Sequence, residues 1–190
     1  KKIMAAADIR IPGVHNIENY MAAACAVEGL ATDEDIDEVA RTFAGVEHRI
    51  EFVREKDGVK YYNDSIASSP SRTIAGLHSF HQKLVLIAGG YDKKIPFDVL
   101  GPEICAHVRL LILCGATAEK IEAAVCGAPE YQPGQPEILH ARTLAEAVQL
   151  AHAHTVSGDI VTLSPACAAF DQFKNFMVRG ETYKSLVQAL

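Results

Sequence analysis

The stretch KLVLIAGG, residues 83–90, decides the fold. Five apolar residues in a row leave no face for water. Such a run reads as a strand covered on both sides, and strands of that kind belong to parallel sheets. The two glycines that follow permit a tight turn at the strand's carboxyl end. Two further stretches have the same character, VRLLILCG (108–115) and DIVTLSPA (159–166), and EILHA (137–141) is a shorter relative. Between them lie segments with helical patterning: PSRTIAGLHSF (70–80), PFDVLGPEICAH (96–107), TAEKIEAAVC (117–126) and TLAEAVQLAHAHT (143–155). Residues 171–190 close the chain with another. Strict alternation of strand and helix predicts an α/β fold, a doubly wound, mostly parallel, Rossmann-like sheet with right-handed crossovers. Sites in such sheets lie in the loops at the carboxyl ends of the strands. Here those are 64–70, 89–94, 115–118 and 164–170, all rich in Gly, Ser, Asp or Lys.

Upstream, IEFVRE and VKYYND flank Lys56-Asp57-Gly58 and predict a hairpin over 46–63. HNIENYMAAACAVEGL (15–30) and DEDIDEVARTF (33–43) predict two helices, with Thr32 or Asp33 as the cap of the second. Residues 2–12 read as a short strand with a loop. The expected boundary falls near residue 45: residues 1–45 are a helical piece with no sheet of their own, and residues 46–190 are the α/β domain.

The chain has 190 residues, 49% of them hydrophobic and 22% charged, which suffices for a core without disulfide or metal staples. Its net charge of −6 argues against nonspecific nucleic-acid binding, which needs clustered cations. No apolar run is long enough to span a bilayer, and residues 1–8 are too short a stretch for a signal peptide. Five widely spaced cysteines without a C-x-x-C read as buried thiols in a reducing cytoplasm. Neither a G-x-x-x-x-G-K-S/T phosphate loop nor a G-x-G-x-x-G motif occurs, so any nucleotide must have its phosphates gripped elsewhere.

Five stretches occur in an order that resembles the carboxyl-terminal part of the Mur ligases: GVHNIENYMAAACA (13–26), FAGVEHRIEFV (43–53), YYNDSIASSPSRTIAGL (61–77), IAGGYDKKIPFD (87–98) and LSPACAAFDQFKNFMVRG (163–180). The last is the most specific and points to the branch that adds D-glutamate. The resemblance implies that the chain is the third domain of such a ligase, with the last helices of its central ATPase domain. The UDP-binding domain and the bulk of the ATPase domain would be partners elsewhere in the same polypeptide. The implied reaction is ATP-dependent: the carboxylate of UDP-N-acetylmuramoyl-L-alanine becomes an acyl phosphate, and the amine of D-glutamate displaces the phosphate. ATP and Mg2+ are the implied cofactors of the complete enzyme, with none held tightly by this piece alone and no metal ligand assigned within it.

The resemblance also implies roles. Asn16 and Asn19 fall on an adenine-contacting pair, although Asn16 can equally cap a helix. His48 and Arg49 fall on a nucleotide-contacting segment, and Asp64 on a ribose-contacting acid; taken alone, Arg49 also reads as a solvated edge-strand charge and Asp64 as a turn residue. Lys93 falls on a lysine at the amino-acid substrate, with neighbouring Lys94 an alternative. Ala169, Phe170 and Phe176 fall on the amino-acid pocket, although Phe176 also suits core packing beside Phe173. The chain departs from the family pattern at Ile66, where lysine is usual, at Ala169, where serine is usual, and at Ser68, where threonine is common. We therefore expect Arg72, with Ser65 and Ser68, to replace the missing cation. Two other readings use the same fold: a noncatalytic binding module, and a related ligase for a different amino acid.

Overall fold

A computed structural model describes residues 2–11 and 13–190. The chain divides into two compact units, 1–46 and 47–190. In the first, a 3₁₀ turn at Ala6–Asp8 precedes helices α1 (Val14–Ala26) and α2 (Asp33–Thr42). Thr32 and Asp35 form a capping box, in which the Thr32 hydroxyl accepts from the Asp35 amide and the Asp35 carboxylate accepts from the Thr32 amide. Arg41 reaches both Asp37 and Asp8, and the Tyr20 hydroxyl donates to the Val39 carbonyl. The strand expected over 2–12 is replaced by the 3₁₀ turn, with Pro12 outside the described residues. Among the described residues, one backbone bond, from the Arg10 amide to the Ala40 carbonyl, joins this segment to α2, and a strand needs a ladder.

The second unit is a six-stranded sheet in the order β1-β2-β6-β3-β4-β5. Its strands are β1 (Glu51–Lys56), β2 (Val59–Asn63), β3 (Leu84–Ala88), β4 (Val108–Cys114), β5 (Glu137–Ala141) and β6 (Ile160–Leu163). Only β1 runs antiparallel to its neighbour. The β1–β2 turn has Asp57 at φ 53° and Gly58 at φ 76°, the two positive angles of a type I′ hairpin.

Helices α3 (Pro70–Leu77), α4 (Leu100–His107) and α5 (Ala118–Cys126) cover one face of the sheet. Helices α6 (Leu144–Ala153) and α7 (Phe176–Gln188) cover the other. The strand period of two is visible in β3: Val85 and Ile87 pack with Val148, Tyr183 and Val187, whereas Leu84, Leu86 and Ala88 pack with Leu77, Ile104 and Val125. An all-apolar strand is thus the requirement of a sheet with helices on both sides. Pro96 to Val99, read as the start of a helix, instead form an approach to α4, and α7 begins at Phe176 rather than near Asp171.

Strand β6 returns between β2 and β3, so the chain reverses its direction of winding there. That is a topological switch point, with its crevice outside the carboxyl ends of β3 and β6.

Candidate functional site at the carboxyl ends of the strands

Strand β2 ends at Asn63 and the loop after it opens with Asp64-Ser65, all three buried. Asn63 fixes its surroundings through both ends of its amide. Its oxygen accepts from the Ser65 amide, and its nitrogen donates to His48 Nδ1 (2.9 Å) and to Glu51 Oε2 (3.0 Å). An amide nitrogen can only donate, so His48 Nδ1 accepts and the ring proton sits on Nε2. The His48 ring also meets the Phe176 ring edge-on at 5.8 Å. Gly180 makes room for it: a Cβ there would lie 2.3 Å from His48 Nδ1.

The segment around His48 is strained. His48 has φ 64° and Ile50 φ 45°, and the left-handed region is costly for a β-branched residue. The geometry turns His48 and Ile50 inward and leaves Arg49 exposed. It is held by the Ile50 amide, which donates to Asp64 Oδ1 (3.3 Å), and by the His48 amide, which donates to Glu51 Oε2 (2.9 Å).

Asp64 is only 4% exposed. Its second oxygen accepts from the Ser164 hydroxyl at 2.7 Å. Burial pushes its carboxyl up to about 7, against the opposing pull of Ser164, the Ile50 amide, Arg49 and Arg72. Both guanidinium groups that act on it, Arg49 and Arg72, are exposed.

Arg179 is the residue the sequence reading missed. It is 3% exposed, on the first turn of α7. It donates to the Ser65 hydroxyl and carbonyl and to the Cys167 and Ala168 carbonyls, at 2.9–3.1 Å. Burial lowers its pKa to about 10, partly offset by Cys167, Cys114 and Asp171. Its position in the specific DQFKNFMVRG segment was the available signal. A helical arginine three residues after Phe176 returns to the same side of α7.

The loops after β3 and β6 are joined to each other. The Gly89 amide donates to the Pro165 carbonyl, and the Tyr91 amide to the Ala168 carbonyl, both at 2.9 Å. Gly89 has φ 109°, and a Cβ there would lie 1.9 Å from the Cys114 carbonyl oxygen, so only glycine fits. Beyond this seam the exposed rings of Tyr91 and Phe170 meet at 5.9 Å, and Lys93 is exposed two residues on.

The expected residues therefore fall into distinct settings. His48, Asp64, Ser65 and Phe176 belong to one interlocked scaffold. The hydroxyl of Ser65 is fully buried, donating to the Phe176 carbonyl at 2.8 Å while accepting from Arg179. Ala169 is 1% exposed. Phe173 joins the core, while Phe176 opens α7 against His48. Arg49, Arg72, Lys93 and Phe170 are exposed, and Ser68 is half-buried. Arg72 Nη1 approaches the Ile66 carbonyl at 3.4 Å. Asn16 and Asn19 lie in the first unit, inside α1, where the Asn19 amide nitrogen approaches Asn16 Oδ1 at 3.5 Å; Gly13 holds the cap position.

A second cluster borders His48. Lys184 lies within 3.1 Å of Glu47, Glu51 and Glu181. Burial opposes its charge, but the hydrogen bonds with Glu47, Glu181 and Glu51 outweigh it and raise its pKa.

Comparisons with known proteins agree with this architecture. The family model described as Mur ligase, glutamate ligase domain, matches residues 48–167. The UDP-N-acetylmuramoylalanine--D-glutamate ligase of Acetivibrio thermocellus is 53% identical over 191 residues, covering 100% of this chain and 41% of that protein. The enzyme of the same name from Clostridium kluyveri is 52% identical over 180 residues, covering 95% and 39%. The chain thus spans about two fifths of the length of these curated relatives. Among solved structures, Mycobacterium tuberculosis folylpolyglutamate synthase complexed with ADP aligns with a TM-score of 0.65 at 13% identity, over 93% of this chain and 41% of that one. UDP-N-acetylmuramoyl-L-alanyl-D-glutamate--2,6-diaminopimelate ligase aligns with a TM-score of 0.59 at 16% identity, over 94% and 39%. At those identities the two structures speak for the fold.

Proposed function

Because the chain belongs to the Mur ligase family by its glutamate ligase domain, we propose that it is the amino-acid-delivering part of a cytoplasmic, ATP-dependent ligase that joins D-glutamate to UDP-N-acetylmuramoyl-L-alanine in peptidoglycan precursor synthesis. Residues 1–45 are then the tail of the central ATPase domain and residues 46–190 the third domain. The UDP-binding domain and the rest of the ATPase domain complete the enzyme.

One observation carries the reading: two exposed cations, Arg49 and Arg72, act electrostatically on the buried carboxyl of Asp64 at the end of a strand. Two guanidinium groups suit anions, namely nucleotide phosphates and a substrate carboxylate, rather than a metal. Arg49 would meet the nucleotide phosphates, and the buried Asp64, bonded to the Ile50 amide, would position the Arg49 segment. In the first unit, Asn16 and Asn19 would offer paired donors and acceptors to adenine. ATP supplies the phosphoryl group that makes the acceptor carboxylate reactive. Mg2+ would be held by the phosphates and by the central domain.

The role of this chain is to place an amine against that reactive carbonyl, where proximity supplies much of the rate, and to help exclude water. Lys93 would bind one carboxylate of D-glutamate, and Phe170 and Phe176 would border the pocket. Ala169 has no hydroxyl to offer, and Ile66 no charge. Arg72, already at the Ile66 carbonyl, supplies the cation there, with Ser68 beside it. Ser65 acts through Phe176 and Arg179 as a positioning residue.

The test is steady-state kinetics of the complete ligase, following phosphate release. Lys93→Ala and Arg72→Ala should each raise the KM for D-glutamate by at least about tenfold while leaving that for ATP unchanged. Arg49→Ala should do the reverse. Unchanged D-glutamate kinetics in both of the first two variants would reject the assignment, and faster turnover of another amino acid would move the chain to a different branch.

A further inference from the structure

At the opposite end of the strands, away from the loops described above, lies a group with no part in that reaction. His78 caps the carboxyl end of α3, just before β3, and Glu103 and His107 lie four residues apart on α4, just before β4. His78 Nε2 is 2.6 Å from Glu103 Oε2, and His107 Nε2 is 3.6 Å from the same oxygen. The two imidazole rings are 4.9 Å apart. One potential ligand atom from each of the three residues lies within 4.8 Å of the others.

We propose that His78, Glu103 and His107 form a binding site for a borderline divalent transition-metal ion such as Zn2+, Co2+ or Ni2+. Two imidazoles and one carboxylate suit those ions, whereas Mg2+ and Ca2+ prefer all-oxygen sets. The ligands come from two helices, so the ion clasps α3 to α4. The two histidines line an open hollow of about 500 Å3, which leaves an entry path and room for a water as the fourth ligand. All three side chains are partly exposed, so they can open from the short His78–Glu103 contact to the spacing a tetrahedral ion needs. Lys83 lines the same hollow, and its ammonium is held by the Cys105 carbonyl.

Two other groups sharpen the choice. Glu47, His48 and Glu181 also stand close together, but Lys184 already places a cation among those carboxylates. His140 and Glu122 pair at 2.8 Å, with no third ligand among the described residues, and serve as an internal control. The inference stands independently of the ligase reading.

The experiment is titration of the protein with CoCl2 in excess Mg2+, read by visible d–d absorption and by calorimetry, with folding checked by circular dichroism. One equivalent should bind in the micromolar range without thiolate charge-transfer bands, and Zn2+ should displace it. His78→Gln and His107→Gln should each weaken binding by at least about tenfold, while His140→Gln changes nothing. ZnCl2 should raise the melting temperature of the parent protein and leave that of the His78→Gln/His107→Gln protein unmoved. Equal affinity in parent and double variant would overturn the proposal, as would thiolate bands or saturation only at millimolar metal. Should the double variant misfold, the single variants decide on the same criterion.

Discussion

Replacing Asp64 with asparagine should remove a specific pH dependence of stability. Aspartate in the unfolded chain titrates near 3.8, and in the folded protein burial moves it to about 7. Between those values the unfolded state has lost a proton that the native state keeps. Stability contributed by this group is complete below the unfolded value and declines as pH rises through the window to about 7. Each pH unit inside the window removes about 1.4 kcal/mol, so moving from pH 5 to 7 costs about 2.5 kcal/mol through Asp64 alone. The asparagine variant cannot titrate and has no such dependence. Its side-chain oxygen can still accept from the Ile50 amide, and the Ser164 hydroxyl can turn its proton toward Thr73 Oγ1, 3.0 Å away, and accept from the new amide. Urea denaturation of both proteins at pH 5 and pH 8 is the assay, and the difference between them cancels the histidines common to both. The Asp64→Asn protein should gain on its parent by about 2.5 kcal/mol as pH rises. Parallel pH profiles for the two proteins would refute the assignment of a buried, proton-retaining carboxyl.

Gly180→Ala should cost roughly 1–3 kcal/mol and raise the KM for ATP of the complete enzyme, because its methyl would collide with His48 Nδ1; chemical denaturation and kinetics check both. Arg179→Met orphans the buried Ser65 and Cys167 carbonyls, leaves the Ala168 carbonyl with the Tyr91 amide alone, and relieves the desolvation of a charge. A net loss of about 2–4 kcal/mol is expected, with faster amide hydrogen exchange in 65–68 and 165–169. Thr32→Ala removes the capping box of α2 and should cost about 1 kcal/mol, with fraying confined to the first turn of that helix, measurable by hydrogen exchange.

The sheet was legible because its strands carry no polar face: LVLIA and LLIL can sit only between two layers of helix. The hairpin was legible because Asp57-Gly58 is one of the few pairs that accept two positive φ angles. The order of the strands was not, since nothing in IVTL says that β6 slips between β2 and β3. At the site, exposed cations such as Arg49 and Lys93 could be named from motif positions. Whether Ser65 faces solvent or interior could not, because that depends on Arg179, distant in sequence by more than a hundred residues. The supposed strand over residues 2–12 failed for a related reason. Apolar content permits a strand, but only a neighbouring edge makes one.

Arg179 has an evolutionary corollary. A single guanidinium that measures the distance between the backbones at 65, 167 and 168 acts as a gauge: lengthening or shortening either loop takes a carbonyl out of reach and leaves a bare charge in the interior. Descendants of this architecture that acquire a new amino-acid preference should therefore keep both loop lengths and vary the side chains mounted on them.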